Sequence, residues 1–141
     1  MEIRSDITGG NGPLRFTGRT VIHGSILSGA VVHADGDIIV RGRIDNASVE
    51  SSGGGIYVDQ GIVGDETVVR AFGDVKASLI RGAKVECFGS LYVREIIFQA
   101  DVRAKNIVEM KDGGGIIEGS RVVAGMEISV KSLGSREPDP P

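Results

Sequence analysis

A nine-residue pattern that returns about every 18 residues constrains this chain more than any other feature of its sequence. Each copy reads apolar, any, small, any, glycine, any, apolar, any, apolar, and the clearest copy runs from Val32 to Val40. Six steps from the first copy to the last cover 108 residues, so the mean period is 18. The copies begin at Leu14, Val32, Val49, Val69, Val85, Val102 and Val122. Repeats of this length fold as a stack of equivalent units.

A second pattern lies between the copies. An isoleucine precedes each later copy, at Ile26, Ile44, Ile62, Ile80, Ile97 and Ile117, and a small residue follows it, at Ala30, Ala47, Thr67, Ala83, Ala100 and Ser120. Each period therefore holds three short apolar segments separated by small residues and glycine. Three strands per turn, each paired with its equivalent about 4.8 Å away, describe a three-sided parallel β-solenoid. We expect about seven coils of ~18 residues, with glycine supplying unusual backbone angles at the corners.

The composition agrees with an all-β fold and excludes several classes of protein. The 141 residues include 16 isoleucines and 17 valines against 5 leucines, and β-branched side chains favour strands over helices. The net charge of −3 provides no basic surface for nucleic acid, and no apolar run is long enough for a transmembrane helix. A single cysteine, Cys87, permits no disulfide within the chain and favours a reducing, cytoplasmic compartment.

Stacking the coils in register places equivalent residues above one another in two outward columns. The charged column, which we interpret as an ion ladder on a solvated face, comprises Arg15, His33, Glu50, Arg70, Glu86, Arg103 and Val123. The alternative interpretation of this column is a ligand groove. The second column comprises Val21, Ile39, Tyr57, Lys76, Tyr92, Glu109 and Ser129.

Four members of the second column are apolar or aromatic although the pattern points them away from the core. They are Val21, Ile39, Tyr57 and Tyr92. Contiguous exposed apolar residues mark interfaces, so these four form the candidate protein-interaction face. The alternative interpretation is the strand propensity of an ordinary exposed face.

No catalytic, cofactor-binding or metal-binding constellation stands out in the sequence. The two histidines, His23 and His33, are too few for a three-histidine zinc site within one chain. Cys87 takes a small-residue position that alanine fills in neighbouring coils, which favours a packed thiol over a nucleophile. The triple glycines at 53–55 and 113–115 lack the lysine and hydroxyl residue of a phosphate-binding loop. We interpret them as turn insertions.

One run of the repeat carries a more specific signature. Residues 32–42 read V-x-A-x-G-D-I-x-V-x-G, and related segments stand at 8–18, 61–64, 83–86 and 115–128. In this order the segments resemble the coils of the flagellar assembly protein A (FapA) β-solenoid family, over about residues 3 to 135. The resemblance implies a right-handed single-stranded parallel β-helix that is cytoplasmic and has no enzymatic activity. It also implies a role in flagellar assembly or polar protein recruitment in bacteria, through protein contacts.

These observations lead to one preferred function and two alternatives. We predict an N-terminal capping segment at 1–13, a β-solenoid domain at 14–135 and a disordered tail at 136–141. The preferred function is a non-enzymatic scaffold or adaptor with an unidentified protein partner and no cofactor.

The first alternative is a bactofilin-like polymer, in which unpaired strands at the open ends of the solenoid add end to end. A homo-oligomer through those ends or through the apolar column is part of this prediction. The second alternative, a hexapeptide acyltransferase, is disfavoured because it requires strict six-residue steps and a looped-out histidine. His33 instead lies in a regular strand position.

Overall fold

The computed structural model describes the backbone of residues 2–110, 116–118, 121–124, 127–130 and 132–133. Its strands are short and pair in parallel with strands about one period away, so that the chain forms stacked coils with three faces. The described residues contain one helical segment, a 3-10 turn at Gly9–Asn11, which is far too short to span a membrane. The predicted all-β parallel solenoid is confirmed.

Each face is a parallel sheet or ribbon with one strand per coil. The first face has seven strands: β2 (Pro13–Phe16), β4 (Val31–Ala34), β7 (Ser48–Ser51), β10 (Val68–Ala71), β12 (Lys84–Cys87), β14 (Asp101–Ala104) and β17 (Arg121–Ala124). The second face contains β1 (Glu2–Ile3), β3 (Thr20–Ile22), β5 (Ile38–Val40), β8 (Ile56–Val58), β11 (Val75–Arg81), β13 (Leu91–Phe98), β15 (Ile107–Met110) and β18 (Glu127–Val130). The third face contains β6 (Ile44–Asp45), β9 (Gly61–Val63), the second halves of β11 and β13, β16 (Ile116–Glu118) and β19 (Ser132–Leu133).

The core is a bore filled mainly by branched aliphatic side chains. On the third face one column stacks an isoleucine from each coil in direct register, and its members Ile7, Ile26, Ile44, Ile62, Ile80 and Ile97 are all buried. From β4 to β14 the first face contributes a valine near the middle of each strand and a small residue from its end, as at Val69 and Ala71. Pairing equivalent residues in this way buries the inner face of every coil against its neighbours.

The solenoid makes about six turns, one fewer than the seven coils expected. The seven strands of the first face bound six complete intervals of chain, each of which supplies the other two faces of one turn, and β18 and β19 follow the last of these strands. Counting copies of the repeat therefore overestimates the number of complete turns. Before Pro13 the chain already contributes β1, which pairs with β3. The predicted tail at 136–141 lies outside the described residues.

The glycine at the fifth position of the repeat is required mainly because neighbouring coils approach closely there. The expected unusual backbone angles occur at the corner glycines Gly18, Gly29, Gly64 and Gly82, which have positive φ, but not at Gly36, Gly73 and Gly89. A Cβ on Gly36 would lie 2.6 Å from the carbonyl carbon of Gly18 and 2.7 Å from its oxygen. Only glycine allows two backbones to stack at this distance.

Aspartate side chains join neighbouring coils at the corner before the second face. The Oδ1 atom of Asp37 accepts a hydrogen bond from the Gly55 backbone N–H at 2.8 Å, and Asp74 accepts one from Ser90 at the same distance. Asp35 accepts a hydrogen bond from the Gly18 N–H at 2.5 Å. These carboxylates satisfy corner N–H groups that the strand ladders leave unpaired, and they fix the start of each second-face strand.

Candidate functional site

The four candidate interaction residues lie in one column of the second face, as the repeat predicts. Val21 pairs with Ile39, and Ile39 pairs with Tyr57. Lys76 then lies in register between Tyr57 and Tyr92. The four side chains are half-buried and Lys76 is exposed. The structure therefore brings the candidate residues together on one continuous outer surface, while their role in binding stays a prediction.

An open groove of about 1020 Å³ runs along this part of the second face. Ile39, Tyr57 and Tyr92 line it, whereas Val21 does not. We call it the tyrosine groove. Lys76 of the same column also lines it, and so do residues that follow the inward-facing end of a strand, such as Arg41, Asp59 and Arg94, which were not identified from the sequence. They could have been found from the alternation of the pleat, since a residue that follows a buried strand position faces outward.

Tyr57 lies back over its own strand because a glycine precedes it at the corner. A Cβ on Gly55 would be 2.7 Å from the Tyr57 hydroxyl oxygen and 2.9 Å from the ring carbon that carries it. Partial burial raises the pKa of the Tyr57 hydroxyl above its ordinary value, and the Asp37 and Asp74 carboxylates raise it further. The hydroxyl therefore stays protonated near neutral pH and presents a flat aromatic surface with a hydrogen-bond donor at its edge.

The charges around the tyrosine groove are only partly neutralised. Arg41 donates a hydrogen bond to Asp59 at 3.3 Å, so these two charges compensate each other. Asp37 is engaged by the Gly55 N–H. Lys76 and Arg94 are exposed, and no ion pair joins either of them to another described residue. The groove thus combines two tyrosine rings with a local excess of positive charge.

The charged column on the first face has the predicted register, and two of its neighbouring pairs are within ion-pair distance. Arg15, His33, Glu50, Arg70, Glu86 and Arg103 stack in that order. The Arg70 Nε is 3.2 Å from a Glu86 carboxylate oxygen, and His33 Nδ1 is 3.7 Å from Glu50. Exposed pairs of this kind contribute about 0–1 kcal/mol each. His33 lies within β4 and is not looped out, which is unlike the acyltransferase arrangement.

Exposed hydrophobic side chains outside the groove lie on the first face and at its following corner. Val31 and Val68 begin first-face strands, and their exposure was not anticipated from the sequence although both precede an inward-facing valine. Phe72 and Phe88 are 57% and 52% exposed. Their ring centroids are 6.0 Å apart with a tilt of 60°, a favourable edge-to-face geometry. The two rings contact each other, and the pair serves as a comparison for the tyrosines of the groove.

Among the described residues, the potential metal ligands do not cluster, and backbone amides of the first triple glycine already donate hydrogen bonds within the protein. Within the described ranges no three His, Cys, Asp or Glu side chains gather where they could hold a metal ion. The first triple glycine uses its amides internally, since the Gly54 N–H donates to the Ser51 hydroxyl and the Gly55 N–H to Asp37. This agrees with its interpretation as a turn insertion. The triple glycine at 113–115 lies outside the described residues.

Cys87 is a packed core residue whose thiol resists ionisation. It is 2% exposed and stacks between Ala71 and Ala104. Burial, followed by the nearby Asp74 carboxylate, raises the pKa of the Cys87 thiol to about 12. Since the thiolate is the nucleophilic form, this environment suits packing rather than covalent chemistry.

The raised pKa of Cys87 should make part of the protein's stability depend on pH. The unfolded thiol ionises near pH 9.0 and the folded thiol near 12, so the unfolded state binds fewer protons between these values. The free energy of unfolding should therefore fall there by about 1.4 kcal/mol per pH unit relative to Cys87→Ala. Urea titrations of both proteins at several pH values measure the difference. A constant difference across this range would show that the folded thiol ionises normally.

Comparison with known families now identifies the fold. The family model described as the Flagellar Assembly Protein A beta solenoid domain matches residues 1–138. Neither the comparison with curated proteins nor that with solved structures gives a match. The family match covers nearly the whole chain, including the six-turn stack and the tyrosine groove. The chain therefore belongs to the FapA β-solenoid domain family.

Proposed function

We propose that this protein is a non-enzymatic scaffold that presents the tyrosine groove to a protein partner during flagellar assembly in the cytoplasm. Membership of the FapA β-solenoid family supports the link to flagellar assembly. The observation that carries the proposal is the Tyr57–Lys76–Tyr92 column, because it places half-buried aromatic residues on an open, flat sheet. Tyrosine is enriched at protein interfaces because its ring contributes area and its hydroxyl contributes a hydrogen bond.

The solenoid suits this function because its outer faces are preorganised. The strands of the second face between β1 and β18 are paired on both sides within the stack, as β8 is by β5 and β11. A surface that is already ordered loses little conformational entropy when a partner binds, so more of the contact energy appears as affinity. The buried, neutral Cys87 and the absence of a metal-type cluster among the described residues support a binding rather than a catalytic role.

A pair of matched double variants tests the groove as the binding surface. Tyr57→Glu with Tyr92→Glu places two carboxylates in the tyrosine groove. Phe72→Glu with Phe88→Glu makes the same change at two exposed aromatic residues of a corner. In the source organism we expect the first variant to lose flagella and the second to retain them. Both proteins should keep the β-sheet circular dichroism and cooperative melting of wild type, because all four side chains lie outside the core.

Site-specific photocrosslinking identifies the partner independently of the phenotype. A benzoylphenylalanine at position 92 should form a discrete adduct with one other protein in the cell, and the same probe at position 88 should not. Mass spectrometry of the adduct names the partner. Equal crosslinking from both positions, or a normally flagellated cell carrying the tyrosine double variant, contradicts the assignment of the groove.

A further inference from the structure

We propose that the tyrosine groove binds an acidic, proline-rich segment of its partner in the polyproline II conformation. This inference deepens the proposed function by naming the chemistry of the partner. It is carried by three observations on the second face, namely the two-strand spacing between the two tyrosines, their half-buried side chains, and the excess of basic over acidic side chains in the groove lining.

The distance between Tyr57 and Tyr92 matches the repeat of a polyproline II helix. Both residues pair in register with Lys76, so they stand two strand spacings apart. Two spacings in a parallel sheet amount to about 9.6 Å. A polyproline II helix has three residues per turn with a rise of 3.1 Å, so its repeat is about 9.3 Å. Prolines at positions i and i+3 of such a segment can therefore contact one tyrosine each.

The surface between these two residues has the character of a proline-binding groove. Aromatic side chains that lie flat along a groove are the common means of binding polyproline II segments, whose rings pack against them without loss of backbone entropy. Tyr57 meets this requirement because its ring lies over Gly55, and its protonated hydroxyl remains a donor for a peptide carbonyl. A polyproline II segment offers such carbonyls, since its backbone makes no internal hydrogen bonds.

The charge of the groove selects acidic residues between the prolines. Lys76 lies midway between the two tyrosines, and Arg94 lines the same groove. The lining holds four basic side chains against two carboxylates, of which Asp59 is paired with Arg41. An aspartate or glutamate between the two prolines would therefore meet Lys76, which forms no ion pair with another described residue. Complementary charge of this kind increases the association rate and discriminates against basic segments.

The chain itself contains one segment of this class, Glu137-Pro138-Asp139-Pro140-Pro141. It has prolines three positions apart with an aspartate between them. We assign the groove to a partner's segment and use the chain's own segment as a competitor to be tested.

Three synthetic peptides separate conformation from charge as the basis of binding. The probe is fluorescein-labelled (Pro-Pro-Asp)₃, which is both acidic and polyproline II. (Pro-Pro-Lys)₃ keeps the conformation and reverses the charge, and (Gly-Ser-Asp)₃ keeps the charge and removes the conformation. Fluorescence anisotropy with the full chain should show binding of the first peptide, with at least tenfold weaker binding of the other two.

Two variants locate the site, and a third protein serves as their control. Tyr92→Ala should weaken binding of (Pro-Pro-Asp)₃ by about tenfold or more. Lys76→Glu should weaken it by about tenfold and transfer the preference to (Pro-Pro-Lys)₃. Phe88→Ser, which removes an exposed aromatic residue outside the groove, should bind as wild type does. Because the charge reversal produces a gain of binding, its result does not depend on a loss that misfolding could mimic.

The outcomes distinguish this inference from the proposed function. Equal binding of (Gly-Ser-Asp)₃, or no change in preference with Lys76→Glu, overturns the inference. If photocrosslinking from position 92 still captures one protein in that case, the scaffold function stands and only the partner's chemistry is wrong. Tighter binding of (Pro-Pro-Asp)₃ after deletion of residues 135–141 would assign the groove to the chain's own segment and overturn its assignment to a partner. Unchanged binding after the deletion supports the partner.

Discussion

Gly36→Ala is expected to lower the free energy of unfolding by about 3 kcal/mol. The added Cβ would lie 2.6 Å from the carbonyl carbon of Gly18, 2.7 Å from its oxygen and 3.0 Å from the Arg19 backbone nitrogen. All three atoms belong to the backbone of the preceding coil, so no side-chain rotation can relieve the contact. The coils must separate locally, and the inter-coil hydrogen bonds beside Gly36 must lengthen. Urea denaturation of the purified variant measures this loss.

Two other glycines serve as controls that separate close approach from backbone angle. Gly18 has a φ of 78° but has open space around its Cβ position, so Gly18→Ala should cost about 1 kcal/mol from the left-handed conformation alone. A Cβ on Gly10 would meet only the Thr8 hydroxyl, at 3.6 Å. Gly10→Ala should therefore change stability by less than about 0.5 kcal/mol. If Gly36→Ala destabilised the protein no more than Gly18→Ala does, close coil packing would not be the reason for glycine at the fifth repeat position.

Ile80→Ala is expected to lower the free energy of unfolding by about 3 kcal/mol, because it leaves a cavity in the bore. Ile80 is fully buried and stacks in register between Ile62 and Ile97. The narrow bore is closed on all sides by strands of the same coil and of its neighbours. The bore therefore has little freedom to collapse around a deleted side chain. The loss of stability should exceed the free energy of transferring the removed methylene and methyl groups from water into the core.

The loss of stability caused by truncating a core isoleucine should depend on the position of its coil in the stack. Ile80→Val keeps most of the volume and should cost about 1 kcal/mol. Ile7 is also buried, but it pairs only with Ile26 at the start of the third face. Ile7→Ala should therefore cost less than Ile80→Ala, because opening of a terminal coil exposes one interface whereas loss of an inner coil disrupts two. Hydrogen exchange would show the Ile7 variant losing protection locally. A globally lowered protection equal to that of Ile80→Ala would contradict this account.

The same stacking that stabilises the fold also determines the geometry of the tyrosine groove. The positions of Tyr57, Lys76 and Tyr92 along the rod follow from strand pairing, since each residue occupies the same position in successive second-face strands. A partner would thus contact the rod in steps of about 4.8 Å. Neighbouring exposed residues such as Phe72 and Phe88 do not extend this surface, because their rings pack against each other at a corner.

Much of the fold could be read from the sequence because in-register stacking converts equivalence in the repeat into contact in space. The core isoleucines, the sign alternation from Glu50 to Arg103 and the column containing Tyr57 and Tyr92 all follow from one alignment of the coils. Recognition of the family followed from the same repeat and agrees with the family match over residues 1–138. The candidate site was therefore predicted as a column, but not as a groove.

The geometry of the corners and of the groove could not be predicted, because it depends on distances between coils that the alignment of the repeats does not contain. Steps between copies vary from 16 to 20 residues, so the corners differ from coil to coil, and β11 and β13 continue through a corner that separates two strands in earlier coils. At one corner Gly36 meets the backbone of the coil before it, and at another Gly55 leaves room for the Tyr57 ring. The alignment also does not show which charges pair. In the structure Arg41 forms an ion pair with Asp59, whereas Lys76 forms none with any described residue.

By itself the sequence determined the all-β class, the three-sided parallel stack, the residues of the bore and the residues that share an outer column. A period of 18 with apolar residues at constant positions permits few other ways to bury the apolar face of each coil. Tertiary structure alone decided the number of complete turns, the close approach at the repeat glycine, and the combination of two tyrosines with an excess of basic side chains in the lining of one groove. These features arise between coils, where side-chain direction and backbone separation depend on the packing of neighbours rather than on the pattern within any one repeat.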